Sequence, residues 1–302
     1  MQNFVLLFAC FALGIALRRS QRLPADAHLT INALVVQVAL PALVLVQLHR
    51  IELRWELVGA VALAWIAFGA AAAFMLAACR ALGWSRATAG ALILTAGLAN
   101  TSFVGVPMIE AFFGRGHVGV GILVDQLGSY LILSTLGVGV AVYAAGATVD
   151  RGAALRRIAG FPPLVALVLA LALRPFEFPD WLAATLARLG DLVAPLALLS
   201  IGCQLRASAL AGNRGPLALG LSYKLLLAPA ALVAGSGALA GPLGPTLQVA
   251  LFEAAMPPMM GGAIVATSYK LDPPLVALMV GVGIPLSFMT LPAWAWLLHR
   301  MA

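Results

Sequence analysis

Charge is scarce in this chain. Of 302 residues only 18 are Lys or Arg and 11 are Asp or Glu, 10% together, where a soluble domain carries roughly 25%. A soluble protein of this length needs a far more polar surface. Soluble enzymes and nucleic-acid binders are therefore excluded, despite a formal net charge of +7. Cysteine is rare too: Cys10, Cys79 and Cys203 fall inside or at the end of apolar segments, without pairing or ligand spacing, and read as small packing residues. The histidines, at 28, 49, 117 and 299, lie at segment ends with no metal-binding spacing, so neither metal nor cofactor is expected. No Gly-x-x-x-x-Gly-Lys-Ser/Thr loop marks a primary pump. No His-Glu-x-x-His or Gly-x-Ser-x-Gly constellation marks an intramembrane enzyme.

What the chain has in abundance is apolar length. Hydrophobic residues make up 63% of it and the mean hydropathy is +1.03, values of an all-α polytopic membrane protein. Ten segments of membrane character read at about 3–17, 29–48, 57–79, 88–113, 118–142, 158–173, 182–205, 216–239, 246–268 and 275–298. No basic residue precedes the first segment and Arg18–Arg19 follow it, which is the wrong polarity for a cleaved signal. Loops after the odd-numbered segments hold Arg18, Arg19, Arg22, Arg80, Arg86, Arg151, Arg156, Arg157, Arg206, Arg214 and Lys270. The opposite side holds Arg50, Arg54, Arg115, Arg174 and Arg300. Positive charge favours the cytoplasmic side, so both termini are expected outside the cytoplasm, in the cell (inner) membrane.

The longest polar connection lies near the midpoint. It divides the chain into a first five-segment half (1–143), a cytoplasmic linker (144–157) and a second half (158–302). An odd number of spans per half requires the second copy to insert upside down, the architecture of many secondary transporters. Proline supports the repeat. Gln37 stands four residues before Pro41 in segment two, and Asp191 four before Pro195 in segment seven. Pro107 in segment four is followed 150 positions later by Pro257, with Pro258 beside it, in segment nine.

The stretch Gly97-Leu-Ala-Asn100-Thr101-Ser102-Phe-Val-Gly105-Val-Pro107 concentrates polar side chains, glycines and a proline in the middle of an apolar segment. Its counterpart is Phe252-Glu253-Ala-Ala-Met256-Pro257-Pro258-Met-Met-Gly261-Gly262. Proline removes an N–H and glycine tolerates unwound backbone. Such backbone must face protein or water rather than lipid. Two readings stay open: a midplane binding site between broken helices, or a pair of kinked helices packed on glycine.

These residues carry a family resemblance. The chain resembles the auxin efflux carriers through Ala99–Pro107, Asp125, Ala194-Pro-Leu-Ala-Leu-Leu-Ser-Ile-Gly202, Lys224-Leu-Leu-Leu-Ala-Pro229, Ala255-Met-Pro-Pro258 and Thr290-Leu-Pro292. The resemblance covers nearly the whole chain. It implies ten helices in two inverted five-helix repeats, with helices 4 and 9 broken and crossing. It also implies a scaffold of helices 1, 2, 6 and 7, with helices 3–5 and 8–10 as the part that moves in an elevator-type cycle. Ser102 stands where relatives often carry glycine, and the second half has no asparagine to match Asn100.

On this reading the substrate is a small organic acid, an auxin-like monocarboxylate or a dicarboxylate such as malate or malonate. Its carboxylate is expected at the helix 4/9 crossover, on free N–H groups at half-helix N-termini. Asn100, Thr101 and Ser102 are donors from the first half, and Glu253 and Met256 are the second half's contribution. Gln37 and Gln204, with Gln47, reach in from the scaffold or bond between helices. Gly105, Pro107, Pro257 and Pro258 form the crossover. Lys224, Asp125 and Glu253 are the ionisable groups at depth, expensive there and functional by default. Lysine occurs only twice, against 16 arginines, so Lys224 reads as a compact ammonium paired with Asp125 or Glu253, with snorkelling to the surface as the other reading. Asp191 reads as lying opposite Gln37, and Glu110 as solvated. The bilayer is the expected partner, nucleic acid is not, and a homodimer through the scaffold is left open. A channel-like or sensory membrane protein that binds an organic acid is the alternative function.

Overall fold

Proline decides where these helices stop being regular. The computed structural model describes residues 2–24, 26–49, 55–146, 152, 159–204, 213–240 and 243–301; most of the linker read at 144–157 and the basic residues 50, 54, 151, 156, 157 and 206 lie outside them. Helices form where the apolar segments were read: α1 (Gln2–Arg19), α2 (Ala27–His49), α3 (Trp55–Ala81), α4 (Arg86–Ala96), α5 (Thr101–Phe112), α6 (Arg115–Ala145), α7 (Pro162–Ala172), α8 (Asp180–Gly190), α9 (Val193–Gln204), α10 (Arg214–Ser236), α11 (Pro245–Ala254), α12 (Met260–Ser268) and α13 (Pro273–Arg300). Among the described residues there is no strand.

Among the described residues six stretches are long and apolar enough to cross a membrane: α2, α3, α6, Asp180–Ser200, α10 and α13. Their outward surfaces suit hydrocarbon. Ile66 of α3 is 61% exposed and Met289 of α13 is 77% exposed, side chains that lipid solvates at no cost and water does not. The chain is an integral membrane protein.

Several helices loosen to the wider π form just ahead of a proline. Val35–Ala39 precedes Pro41, Thr101–Gly105 precedes Pro107 and Tyr223–Leu227 precedes Pro229. Each proline lacks the N–H that would bond the carbonyl four residues back, and the wider turn lets neighbouring groups bond elsewhere. Pro195 acts more sharply. It strips the partner from the carbonyl of Asp191, and the segment read as continuous over 182–205 breaks into α8 and α9 there.

The chain divides into two compact units. The first comprises residues 1–53, 102–122 and 155–206. In it α1 packs on α9 at backbone contact. A methyl group on Gly14 would stand 2.2 Å from the Leu199 carbonyl oxygen, and one on Gly202 would stand 2.3 Å from that of Phe11. Small residues at such positions are how helices associate where lipid is as apolar as leucine. Buried Ser200 donates to Asn32 Oδ1 at 2.5 Å.

The second unit comprises residues 54–101, 123–154 and 207–302. Its core includes Met75, Leu92, Leu94, Ile132, Leu221 and Met279. α4 is capped by the Ser85 hydroxyl, which accepts from the Thr88 amide at 3.0 Å. Asp272 caps α13 and also accepts from the Thr88 hydroxyl at 3.0 Å, so the starts of these two helices are tied together.

Candidate functional site

Two interruptions meet in the second unit. α4 ends at Ala96 and helix resumes at Thr101; α11 ends at Ala254 and helix resumes at Met260. Between them the chains run antiparallel for one step, Ala99 against Pro258, and the Asn100 amide donates to the Pro257 carbonyl at 2.9 Å. Close approach is possible because Gly262 has no side chain. A methyl group there would lie 2.0 Å from the Leu94 carbonyl oxygen.

The double proline leaves two consecutive carbonyls without their helical partners, those of Glu253 and Ala254. The first accepts from the Met256 amide at 3.1 Å. The second accepts from the ammonium of Lys224 on α10, also at 3.1 Å. Lys224 is 4% exposed and its charge sits at the negative, C-terminal end of α11, where a cation is favoured. It does not snorkel. Nor does it close a direct ion pair with Glu253, although the two interact through charge.

Asp125 of α6 lies at the same level, with both carboxylate oxygens occupied. The Thr101 hydroxyl donates to Oδ1 at 2.5 Å and the Gln126 amide donates to Oδ2 at 2.6 Å. Donors in place of a counter-ion hold an ionised group in a low-dielectric site. One of the two acids read as partners for Lys224 is thus engaged by its own neighbours. Glu253 is different. It is 1% exposed, and among the described residues neither of its oxygens meets a hydrogen-bond donor.

Asn100, Thr101, Asp125, Lys224, Glu253, Met256, Pro257 and Pro258 all belong to this unit and are buried. Gly97–Ala99, Thr101, Ser129, Tyr223, Lys224 and Glu253 line a common cavity, walled by alanines of α3, with about 30 Å³ open to water-sized molecules. That volume holds one or two waters and no organic acid. Ser102, Gly105 and Pro107 fall in the first unit, as does Gln37, whose side chain is exposed. Gln47 is half-buried there, and the side chain of Gln204 lies outside the described residues.

Asp191 behaves differently from its sequence reading. Asp191 accepts from Arg115 instead of facing Gln37, and the partly exposed Glu110 lies 3.7 Å from the same guanidinium. Arg115 begins α6, and only tertiary folding brings α8 to it. Trp65, unusual among the tryptophans for lying mid-segment, donates its indole N–H to the Leu127 carbonyl in the π stretch of α6 at 3.0 Å. Trp294 does the same for the Leu225 carbonyl at 2.9 Å, the group that Pro229 deprives of its partner.

A larger cavity, about 520 Å³, lies in the first unit and is lined by His49, Arg174, Glu177, Phe178 and Asp180. His49 bonds the carbonyls of Leu173 and Phe176 at 3.1 and 2.7 Å and stacks on Phe178. Glu177 and Asp180 outnumber Arg174 there, whereas the smaller cavity sets one cation, Lys224, against one carboxylate, Glu253, and is the better candidate. Among the described residues no cluster of His, Cys, Asp or Glu could hold a metal ion.

Known proteins place the chain independently. A sequence model of the family described as membrane transport proteins matches residues 1–295. An uncharacterized transporter from Methanothermobacter thermautotrophicus is 27% identical over 271 residues, 88% of this chain and 87% of the relative. Another, from Methanocaldococcus jannaschii, is 29% identical over 214 residues, 69% of this chain and 68% of the relative.

Proposed function

Because the chain belongs to the membrane transport protein family, as its resemblance to the auxin efflux carriers implied, we propose that it is a secondary carrier of small organic anions. The observation that carries this reading is the Asn100–Pro257 hydrogen bond, next in the chain to the Ala99 and Thr101 that line a cavity with Lys224 and Glu253. It joins two helix interruptions deep in an apolar chain, a place where irregular backbone is stable only if it lines a cavity.

The substrate carboxylate binds at this crossover. The N-termini of α5 and α12 present the positive ends of their dipoles, with Asn100, Thr101 and Ser102 as side-chain donors. The cavity in the present conformation is too small for an organic acid, so binding requires the site to open. We take that opening as part of an elevator-type cycle. The division into two units bears on this: α1, α2 and α7–α9, the scaffold set that the resemblance implies, fall in one together with residues 102–122 of α5 and α6, and α3, α4, the rest of α6 and α10–α13 fall in the other. Ten inner-membrane spans in two inverted halves, both termini outside the cytoplasm and a scaffold homodimer complete the proposal. Auxin-like monocarboxylates and dicarboxylates such as malate or malonate are the substrate range.

A thermal-shift screen of organic acids on purified protein, followed by counterflow of the best labelled acid in proteoliposomes, tests the reading. Saturable counterflow that Asn100→Ala abolishes is the expected result. Single-channel currents, or a ligand shift unchanged in Asn100→Ala, would overturn it.

A further inference from the structure

A carboxyl group within hydrocarbon must have its charge answered by donors, by a cation or by a proton. Asp125 is answered by Thr101 and Gln126. Glu253 is buried with no donor on either oxygen among the described residues, and the nearby ammonium of Lys224 is engaged with the Ala254 carbonyl. The charged groups that bear on Glu253 are Asp125 and Lys224, one of each sign. Tyr223 adds a phenol to the cavity lining. α3 and α13, which also pack on α11, bring no charged side chain to it.

The occupant that completes this carboxyl has to be small, since the cavity admits only one or two waters. A metal cation is disfavoured twice. Lys224 repels it, and of the lining side chains only Glu253 is a carboxylate, the other oxygens being the Thr101 and Ser129 hydroxyls and the Tyr223 phenol, a poor set for a hard cation. A proton meets both constraints.

Resting on the carrier reading above, we propose that Glu253 binds the coupling proton, one for each organic anion carried. The proton comes from water on the side to which the cavity opens and forms an O–H bond at a Glu253 carboxylate oxygen. After reorientation that bond breaks, the electron pair stays on the oxygen and the proton leaves to water on the other side. An anion at Asn100 meets a negative carboxylate at Glu253 unless the proton is bound. Anion and proton therefore strengthen each other's binding, and the carrier moves them in the same direction.

Two measurements on the full-length protein test this. Infrared spectroscopy over a pH titration, without substrate, reads the carbonyl stretch of a buried protonated carboxyl. The band is expected in the wild type, absent in Glu253→Gln and present at a shifted frequency in Glu253→Asp. In proteoliposomes the apparent affinities for labelled malate and labelled indole-3-acetate should rise about tenfold per unit of falling pH, and that ratio should fall to about one in Glu253→Gln. No Glu253-dependent band, an unchanged pH ratio in Glu253→Gln, or accumulation driven by sodium but not by a proton gradient would each overturn the proposal. A titrating band lost in Glu253→Gln, with neither acid bound, would support the proton site and overturn the carrier reading instead.

Discussion

The amide of Asn100 donates to the carbonyl of Pro257, 157 positions further along the chain, at 2.9 Å. The bond exists because neither residue is helical. The carbonyl is available where α11 has ended, and the amide is available where α5 has not begun. Pro257→Ala combined with Pro258→Ala restores two N–H groups and lets α11 continue toward α12. Helical content by circular dichroism should hold or rise slightly, while transport falls to background.

Thr101 and Asp125 form the shortest tie at this site, 2.5 Å. Thr101→Val keeps the shape and removes the donor. A hydrogen bond to a charged group is worth about 1.5–3 kcal/mol, so the melting temperature in detergent should fall by several degrees. In Asp125→Asn the same threonine substitution should cost less, and a double-mutant cycle measures the difference.

Gly262 is held within backbone contact of Leu94, whereas a methyl group on Gly281 would meet nothing within 4 Å. Gly262→Ala should lower stability by about 1–3 kcal/mol or more and reduce transport, through forced separation of the two interruptions. Gly281→Ala, at a half-buried position inside α13, should raise stability by about 0.4–1 kcal/mol. Thermal unfolding of both variants in the same detergent distinguishes them.

Trp294 serves the carbonyl that Pro229 orphans. Trp294→Phe leaves it unsatisfied and should cost about 1–3 kcal/mol. Pro229→Ala supplies a backbone N–H for that same carbonyl. The tryptophan substitution should therefore be milder in the Pro229→Ala background, a sign that a double-mutant cycle reads directly.

Lys224→Met removes the cation from the end of α11 and leaves the Ala254 carbonyl bare. Loss of about 1–3 kcal/mol is expected, together with loss of transport. Lys224→Arg should not restore transport, because a planar fork does not replace a compact ammonium in so small a cavity.

Much of this was legible in the sequence for one reason: a membrane leaves few options. Low charge and long apolar runs gave the class, and helices lie on the apolar segments. The polar residues of Gly97–Pro107 and the double proline at 257–258 marked the two interruptions, since irregular backbone in hydrocarbon requires a local cause. Asn100, Thr101, Asp125, Lys224 and Glu253 were all visible as polar groups at depth.

Their partners were not. Periodicity and hydropathy report which residues are buried, but a hydrogen bond between α10 and α11 depends on how the helices pack. The sequence left Lys224 with two candidate acids, and the fold gave it a carbonyl. It placed Asp191 opposite Gln37, and the fold gave it Arg115. A missing N–H can be read from any proline, which fixes where a carbonyl is orphaned. Only the tertiary structure decides which distant side chain answers it, because that choice is made by the packing of helices far apart in the chain.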